Sequence, residues 1–192
     1  RPVSMGQIQT ESCTIPGPVL AHPNLHEDGR GYFIETYQEQ EFMEAGITEH
    51  FVQDNEAKSS KGVLRGLHFQ KKYPQAKLMR TVQGAIYDVA VDLREGSETF
   101  GQWFGTVLSE ENKCQFYIPK GFAHGYCVLS ETAVIAYKCT DFYHPEDEDG
   151  ICYDDAELQI DWPLPAGTVP VLSARDKQAQ SFAEYKEKNG FH

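Results

Sequence analysis

The run Ile86-Tyr87-Asp88-Val89-Ala90-Val91-Asp92-Leu93 alternates with a period of two. An extended strand sends successive side chains to opposite faces, so Tyr87, Val89, Val91 and Leu93 share one face, and Ile86, Asp88, Ala90 and Asp92 the other. Comparable runs fall at 31–37, 63–70, 102–108, 114–118, 124–129 and 132–140, punctuated by Asp28-Gly29, Pro119-Lys120-Gly121 and Ser130-Glu131. Many short strands separated by turns predict an antiparallel all-β sandwich or barrel and argue against a βαβ repeat. Helical periodicity is confined to 38–45, stopped by Gly46, and 173–188, stopped by Asn189-Gly190.

At 192 residues, with 40% hydrophobic and 24% charged residues, the chain can bury one full core, and a single domain over 1–192 is expected. Lys and Arg total 17 against 29 Asp and Glu, a net charge of -12, which argues against a broad basic surface for nucleic acid. Any phosphate must be held by a few placed cations. The cysteines, Cys13, Cys114, Cys127, Cys139 and Cys152, are scattered and form no Cys-x-x-Cys pair, so they read as buried thiols of a reducing cytoplasm. With no apolar run near the roughly 20 residues of a membrane span, and no signal-peptide layout at the start, the protein is expected to be soluble and intracellular.

The stretch Gly62-Val63-Leu64-Arg65-Gly66-Leu67-His68-Phe69-Gln70, followed by Ala76-Lys77-Leu78, places an imidazole and two cations close together in sequence. Lys77 falls in the next expected strand, where a buried ammonium is costly unless it meets an anion. Strict alternation puts Arg65 and His68 on opposite faces. Gly66 lies between them, and a bulge there would bring both side chains to one cavity.

His124 sits in Gly121-Phe122-Ala123-His124-Gly125-Tyr126, where it serves equally as a strand-entry residue bonded to backbone. Metal-binding cupins use a His-x-His pair, but Gln70 stands two positions after His68 and the chain contains no His-x-His, so no metal is expected. Tyr137 shares a face with Ile135 and Cys139 and is either a core aromatic or a proton donor. Ser173-Ala174-Arg175-Asp176 has the spacing of a capping box, which by pattern alone assigns Asp176 to helix capping. The acidic run Glu146-Asp147-Glu148-Asp149 reads by itself as a solvated loop.

Six ordered segments together resemble the dTDP-4-dehydrorhamnose 3,5-epimerase family: 51–55, 62–70, 76–78, 88–92, 118–125 and 161–163. The resemblance implies a double-stranded β-helix (cupin-type jelly roll) with short flanking helices, a homodimer, and no metal or organic cofactor. It implies a dTDP-linked 4-keto-6-deoxy sugar as substrate, inverted at C3 and C5. By motif position His68 matches the family's base, Tyr137 its proton donor and Asp176 the acid paired with the histidine. Arg30, Glu35, Gln53, Asp54, Asn55, Arg65, Lys77, His124, Glu148 and Arg175 fall where the family contacts its nucleotide sugar, and Tyr143 where an aromatic ring borders the nucleotide. The segment Glu56-Ala57-Lys58-Ser59 departs from the His-Ser-Arg-Ser-like pattern usual there.

These residue types suit carbanion chemistry beside a ketone. A neutral imidazole is a suitable base near neutral pH, a carboxylate stabilises the imidazolium that forms, and a fixed cation such as Lys77 stabilises negative charge on the ketone oxygen. Rival readings are an epimerase of C3 or C5 alone, a non-catalytic cupin that binds a sugar nucleotide, and a metal-dependent cupin oxygenase or isomerase.

Overall fold

A computed structural model describes residues 8–191. Residues 1–7, part of the start on which the signal-peptide expectation rests, lie outside the described residues. In chain order the elements are β1 (Ile8–Ser12), β2 (Val19–Pro23), β3 (Leu25–Asp28), β4 (Gly31–Ile34), α1 (Glu39–Glu44), β5 (Gln53–Ser60), β6 (Leu64–Gln70), β7 (Lys77–Gln83) and β8 (Ala85–Asp92). They continue as β9 (Trp103–Ser109), β10 (Gln115–Ile118), β11 (Phe122–Val128), β12 (Thr132–Cys139), a 3-10 turn (Pro145–Asp147), β13 (Glu148–Gly150), α2 (Ala174–Lys177) and α3 (Phe182–Lys188).

The strands form a six-stranded sheet, β1-β2-β10-β7-β12-β5, a five-stranded sheet, β13-β6-β11-β8-β9, and a separate hairpin, β3-β4. Every named pairing is antiparallel. The all-β expectation holds, and the two sheets enclose the interior in the manner of a cupin-type jelly roll.

Strand β8 shows why. Ile86 and Ala90 pack with Met79, Phe116, Ile118 and Ile135 between the sheets. Val89, Val91 and Leu93 point the other way and are covered by Ile151, Leu158, Phe182 and Tyr185 from the C-terminal part of the chain. Each such side chain contributes about 1.5–3 kcal/mol on burial, which fixes the register, since a one-residue slip would reverse both faces. A third cluster caps the outer side of the six-stranded sheet, where Phe42 of α1 and Ile47 meet Leu78 and Tyr117.

Two expectations are corrected, and one strand has no counterpart among the expected runs. The helix foreseen over 173–188 is two helices, because Gln180 forms a bridge with Ile151 and its carbonyl accepts the Cys152 N–H, drawing the chain out between them. Ser181 then caps α3 by accepting the Glu184 N–H at 3.0 Å. The acidic run is not a solvated loop: Asp147 is buried and accepts the backbone N–H groups of Lys72 and Tyr73, while Glu148 and Asp149 pair with β6. The segment 53–60 is a strand without apolar alternation, since its partner β12 carries the pairing while neither of its faces joins the main core in full.

The irregularity expected at Gly66 is present. From the pair His68–His124 to the pair Arg65–Tyr126, β6 advances by three residues and β11 by two. Gly66 has a φ of +135°, and the Gly66–Leu67 peptide is cis. A Cβ at Gly66 would lie 2.5 Å from Gly125 Cα and 2.9 Å from the His124 carbonyl oxygen, so only glycine permits this approach.

Candidate active site

Where the apolar filling between the sheets gives way to polar side chains, a cavity of about 980 Å³ remains. The five-stranded sheet supplies Arg65, His68, His124 and Glu148 to its wall, and the six-stranded sheet supplies Gln53, Asn55, Lys77 and Tyr137. The extra residue at Gly66 lets Arg65 and His68 line the same space, and Arg65 Nε donates to Ser59 Oγ at 3.1 Å.

Behind His68 stands Asp176, 4% exposed, with Oδ1 at 2.6 Å from His68 Nε2 and Oδ2 accepting the Gly66 N–H at 3.2 Å. Burial alone would raise this carboxyl, but the hydrogen bond and charge of His68, with the Gly66 N–H, hold it below the usual carboxylate range. An ionised Asp176 accepts from Nε2–H, so in the neutral form of the ring the lone pair of His68 lies on Nδ1. The capping pattern is also present, since Ser173 Oγ accepts the Asp176 N–H at 3.1 Å. Asp176 therefore donates its backbone N–H to the Ser173 cap while its side chain orients the imidazole.

Lys77 makes no salt bridge and no hydrogen bond among the described residues, and its Nζ lies 5.9 Å from the centre of the Tyr137 ring. Burial pushes its ammonium down from the ordinary lysine value, against the opposing pull of Cys139, Glu148 and Asp88. Tyr137 is pushed up by burial and by Cys139, with Asn55 opposing, so its phenol keeps its proton. The cavity thus holds a lysine with no anionic partner among the described residues and a phenol that keeps its proton.

His124 is buried and bonded through Nε2 to Asp88 Oδ1. Burial lowers its pKa, with Asp88 opposing, so the ring favours its neutral form. Asp88 was not singled out by pattern, although a carboxylate on the inward face between Ile86 and Ala90 has to find a partner. Gln70 also gains a role: its amide reaches Tyr73 O at 2.6 Å and Phe142 O at 3.3 Å, while its Oε1 accepts the His144 N–H at 2.9 Å. It pins two loops at the cavity rim.

At that rim Glu148 Oε2 accepts from Tyr143 Oη at 2.7 Å and Arg175 Nη1 at 3.3 Å. Gln53 Oε1 accepts the Tyr143 N–H at 3.1 Å. Asp54 reaches the cavity edge but is ion-paired with Lys138 at 3.0 Å. Three expected contacts lie outside the cavity lining within one chain, Arg175 reaching the rim only through Glu148. Arg30 lies on the β3-β4 hairpin with its side chain 91% exposed, paired to Asp28 at 2.7 Å, and Glu35 follows β4 outside the lining.

The family model for dTDP-4-dehydrorhamnose 3,5-epimerase matches residues 12–184. A dTDP-4-dehydrorhamnose 3,5-epimerase of Pseudomonas aeruginosa is 53% identical over 171 residues, covering 88% of this chain and 93% of the relative. Among solved structures, a dTDP-6-deoxy-D-glucose-3,5-epimerase of Legionella pneumophila Philadelphia 1, in complex with dTDP-4-keto-L-rhamnose, is similar with a TM-score of 0.90 at 48% identity, covering 94% of this chain and 96% of that one. A dTDP-4-dehydrorhamnose 3,5-epimerase of Elizabethkingia anophelis NUHP1 gives a TM-score of 0.88 at 50% identity, covering 93% and 98%.

Proposed function

Since the chain belongs to the dTDP-4-dehydrorhamnose 3,5-epimerase family, we propose that His68, Asp176, Lys77 and Tyr137 carry out its reaction. The protein is an isomerase of dTDP-L-rhamnose biosynthesis. It inverts dTDP-4-dehydro-6-deoxy-D-glucose at C3 and C5 to give dTDP-4-dehydro-L-rhamnose.

The observation that supports these roles best is the placement of His68 and Tyr137 on opposite sheets across one cavity. Inversion at carbon requires a proton to leave one face and another to arrive at the opposite face. His68 Nδ1 removes the hydrogen beside the C4 ketone, and Asp176 stabilises the resulting imidazolium. Lys77 meets the negative charge on O4, a contribution of several kcal/mol in a site poor in water. Tyr137 delivers the new proton. Both carbons flank the same ketone, so the chemistry calls for no oxidant and no metal.

Gln53, Asn55, Arg65, His124, Tyr143, Glu148 and Arg175 hold the nucleotide sugar, with planar guanidinium groups suited to pyrophosphate and Asp54 at the edge. Arg30 and Glu35 act across a homodimer. The hairpin that carries Arg30 stands apart from both sheets, with Tyr32 58% and Phe33 69% exposed, which suits an arm laid on a second copy. The chain forms a single cupin-type domain and works in the cytoplasm, a setting that fits its free cysteines. No helix among the described residues is long and apolar enough to cross a membrane.

The deciding experiment is NMR of the product formed from dTDP-4-dehydro-6-deoxy-D-glucose in D2O. Inversion and deuterium at both carbons are expected. Inversion at one carbon would reassign the protein as a mono-epimerase, and binding without turnover would make it a sugar-nucleotide-binding cupin.

A further inference from the structure

We infer that Glu148 is the outlet for the proton taken up by His68, and that it resets the base between the two inversions. The inference rests on the assignment of His68 as the base for both carbons. After the first inversion Nδ1 carries a proton and Tyr137 has lost one. The second carbon cannot react until Nδ1 is free again.

Asp176 cannot relieve it, because it faces Nε2, with its other oxygen taken by the Gly66 N–H. Glu148 Oε1 lies 3.5 Å from His68 Nδ1. Its other oxygen is held by Tyr143 and Arg175, and its backbone is fixed by pairing opposite Gln70, so the free oxygen stays beside the imidazole. A carboxylate oxygen facing an unprotonated Nδ1 opposes lone pair to lone pair, so this contact gains nothing until Nδ1 carries a proton. Once Nδ1 is protonated the same contact becomes attractive. The Glu148 side chain is 16% exposed, and its partners Tyr143 and Arg175 are open to solvent, which provides the way out.

The step balances. The N–H bond at Nδ1 breaks as an O–H bond forms at Oε1, that O–H bond then breaks to water, and the Tyr137 phenolate regains a proton from water. Glu148 touches solvent-exposed Tyr143 and Arg175, so it passes the proton on to water without retaining it.

The test is rapid-quench turnover of dTDP-4-dehydro-6-deoxy-D-glucose in D2O by wild type, Glu148→Gln and Glu148→Asp, with inversion and deuterium read at each carbon. Glutamine keeps the shape and a hydrogen-bonding oxygen but accepts no proton. In Glu148→Gln a singly inverted, singly deuterated sugar is expected to accumulate, with the ratio of second to first inversion rates reduced tenfold or more. Glu148→Asp should give an intermediate ratio. Because the ratio is read within one sample, the folded fraction cancels. Equal slowing of both inversions, as lost binding alone would produce, or an unchanged ratio in either variant overturns the relay. A wild type that inverts one carbon or none overturns the epimerase reading instead.

Discussion

His68 and Asp176 are 108 residues apart in sequence, and their side chains meet at 2.6 Å, Nε2 to Oδ1. The contact fixes both the tautomer and the tilt of the ring, which directs Nδ1 into the cavity. A shared base predicts that His68→Ala abolishes deuterium incorporation from solvent at both C3 and C5. Asp176→Asn should keep the backbone cap on α2 yet lower kcat by about 10²–10⁴, the usual range for general-base assistance, with a smaller change in KM. Steady-state kinetics with mass spectrometry of recovered substrate checks this. Substantial exchange at either carbon in His68→Ala would exclude a single base.

Tyr137 is opposed to His68 across the cavity, and burial keeps its phenol protonated. Tyr137→Phe should therefore lose inversion while proton removal by His68 continues, so that deuterium enters with retained configuration. NMR of the recovered sugar distinguishes the two. Full inversion at the wild-type rate would remove Tyr137 from the reaction.

The Lys77 ammonium is disfavoured by burial, so its folded-state pKa lies below the ordinary lysine value of 10.5. The charged form, the one proposed to stabilise the enolate, disappears as pH rises through that lowered value. Tyr137 is shifted the other way, so Lys77 governs the first alkaline fall in kcat/KM. Lys77→Arg, charged at every accessible pH, should be slower but should move that fall upward. Lys77→Met should lose about 10²–10³ in kcat. A pH profile of Lys77→Arg that coincides with wild type would rule out the assignment.

Much of the fold could be read locally because its strands bury one apolar set each, as the two faces of β8 do. Strand β5 escaped notice because its side chains, such as Asn55 toward the cavity and Asp54 toward Lys138, are polar on both faces. The break between α2 and α3 depends on Gln180 meeting Ile151, a contact that no local period encodes. At the site, the irregularity at Gly66 followed from a conflict between period and chemistry. The partnership of Asp176 came from the family resemblance and not from its own spacing, which the capping pattern already accounted for. Asp88 was legible in principle, as a carboxylate on an inward face, but its partner His124 comes from a neighbouring strand.

The bulge itself can be tested at Gly66. An added Cβ would meet backbone atoms that cannot rotate away, at a φ of +135°. Gly66→Ala should cost about 3 kcal/mol or more, from overpacking together with the unfavourable backbone region. Gly29→Ala, where a Cβ meets nothing within 4 Å, serves as the control and should change stability little. Urea denaturation of both variants gives the comparison, and equal midpoints would show that β6 can accommodate a side chain at Gly66.

The dimer proposal has a sharper test than measurement of mass. Within one chain Arg30 lies on an exposed hairpin, away from the cavity that holds His68. If the hairpin reaches the other copy, a site combines His68 of one chain with Arg30 of the second. Arg30→Ala should then raise KM with a smaller effect on kcat, while His68→Ala is inactive. Mixing the two variants under conditions that exchange subunits would create mixed dimers with one site carrying both substitutions and one carrying neither. Up to about a quarter of the wild-type sites should be recovered from an equal mixture, by simple pairing statistics for a two-fold dimer. Low-KM activity that appears on mixing, and rises with the time allowed for exchange, supports the arm. Activity that stays at the average of the two separate variants would place Arg30 outside the partner's site.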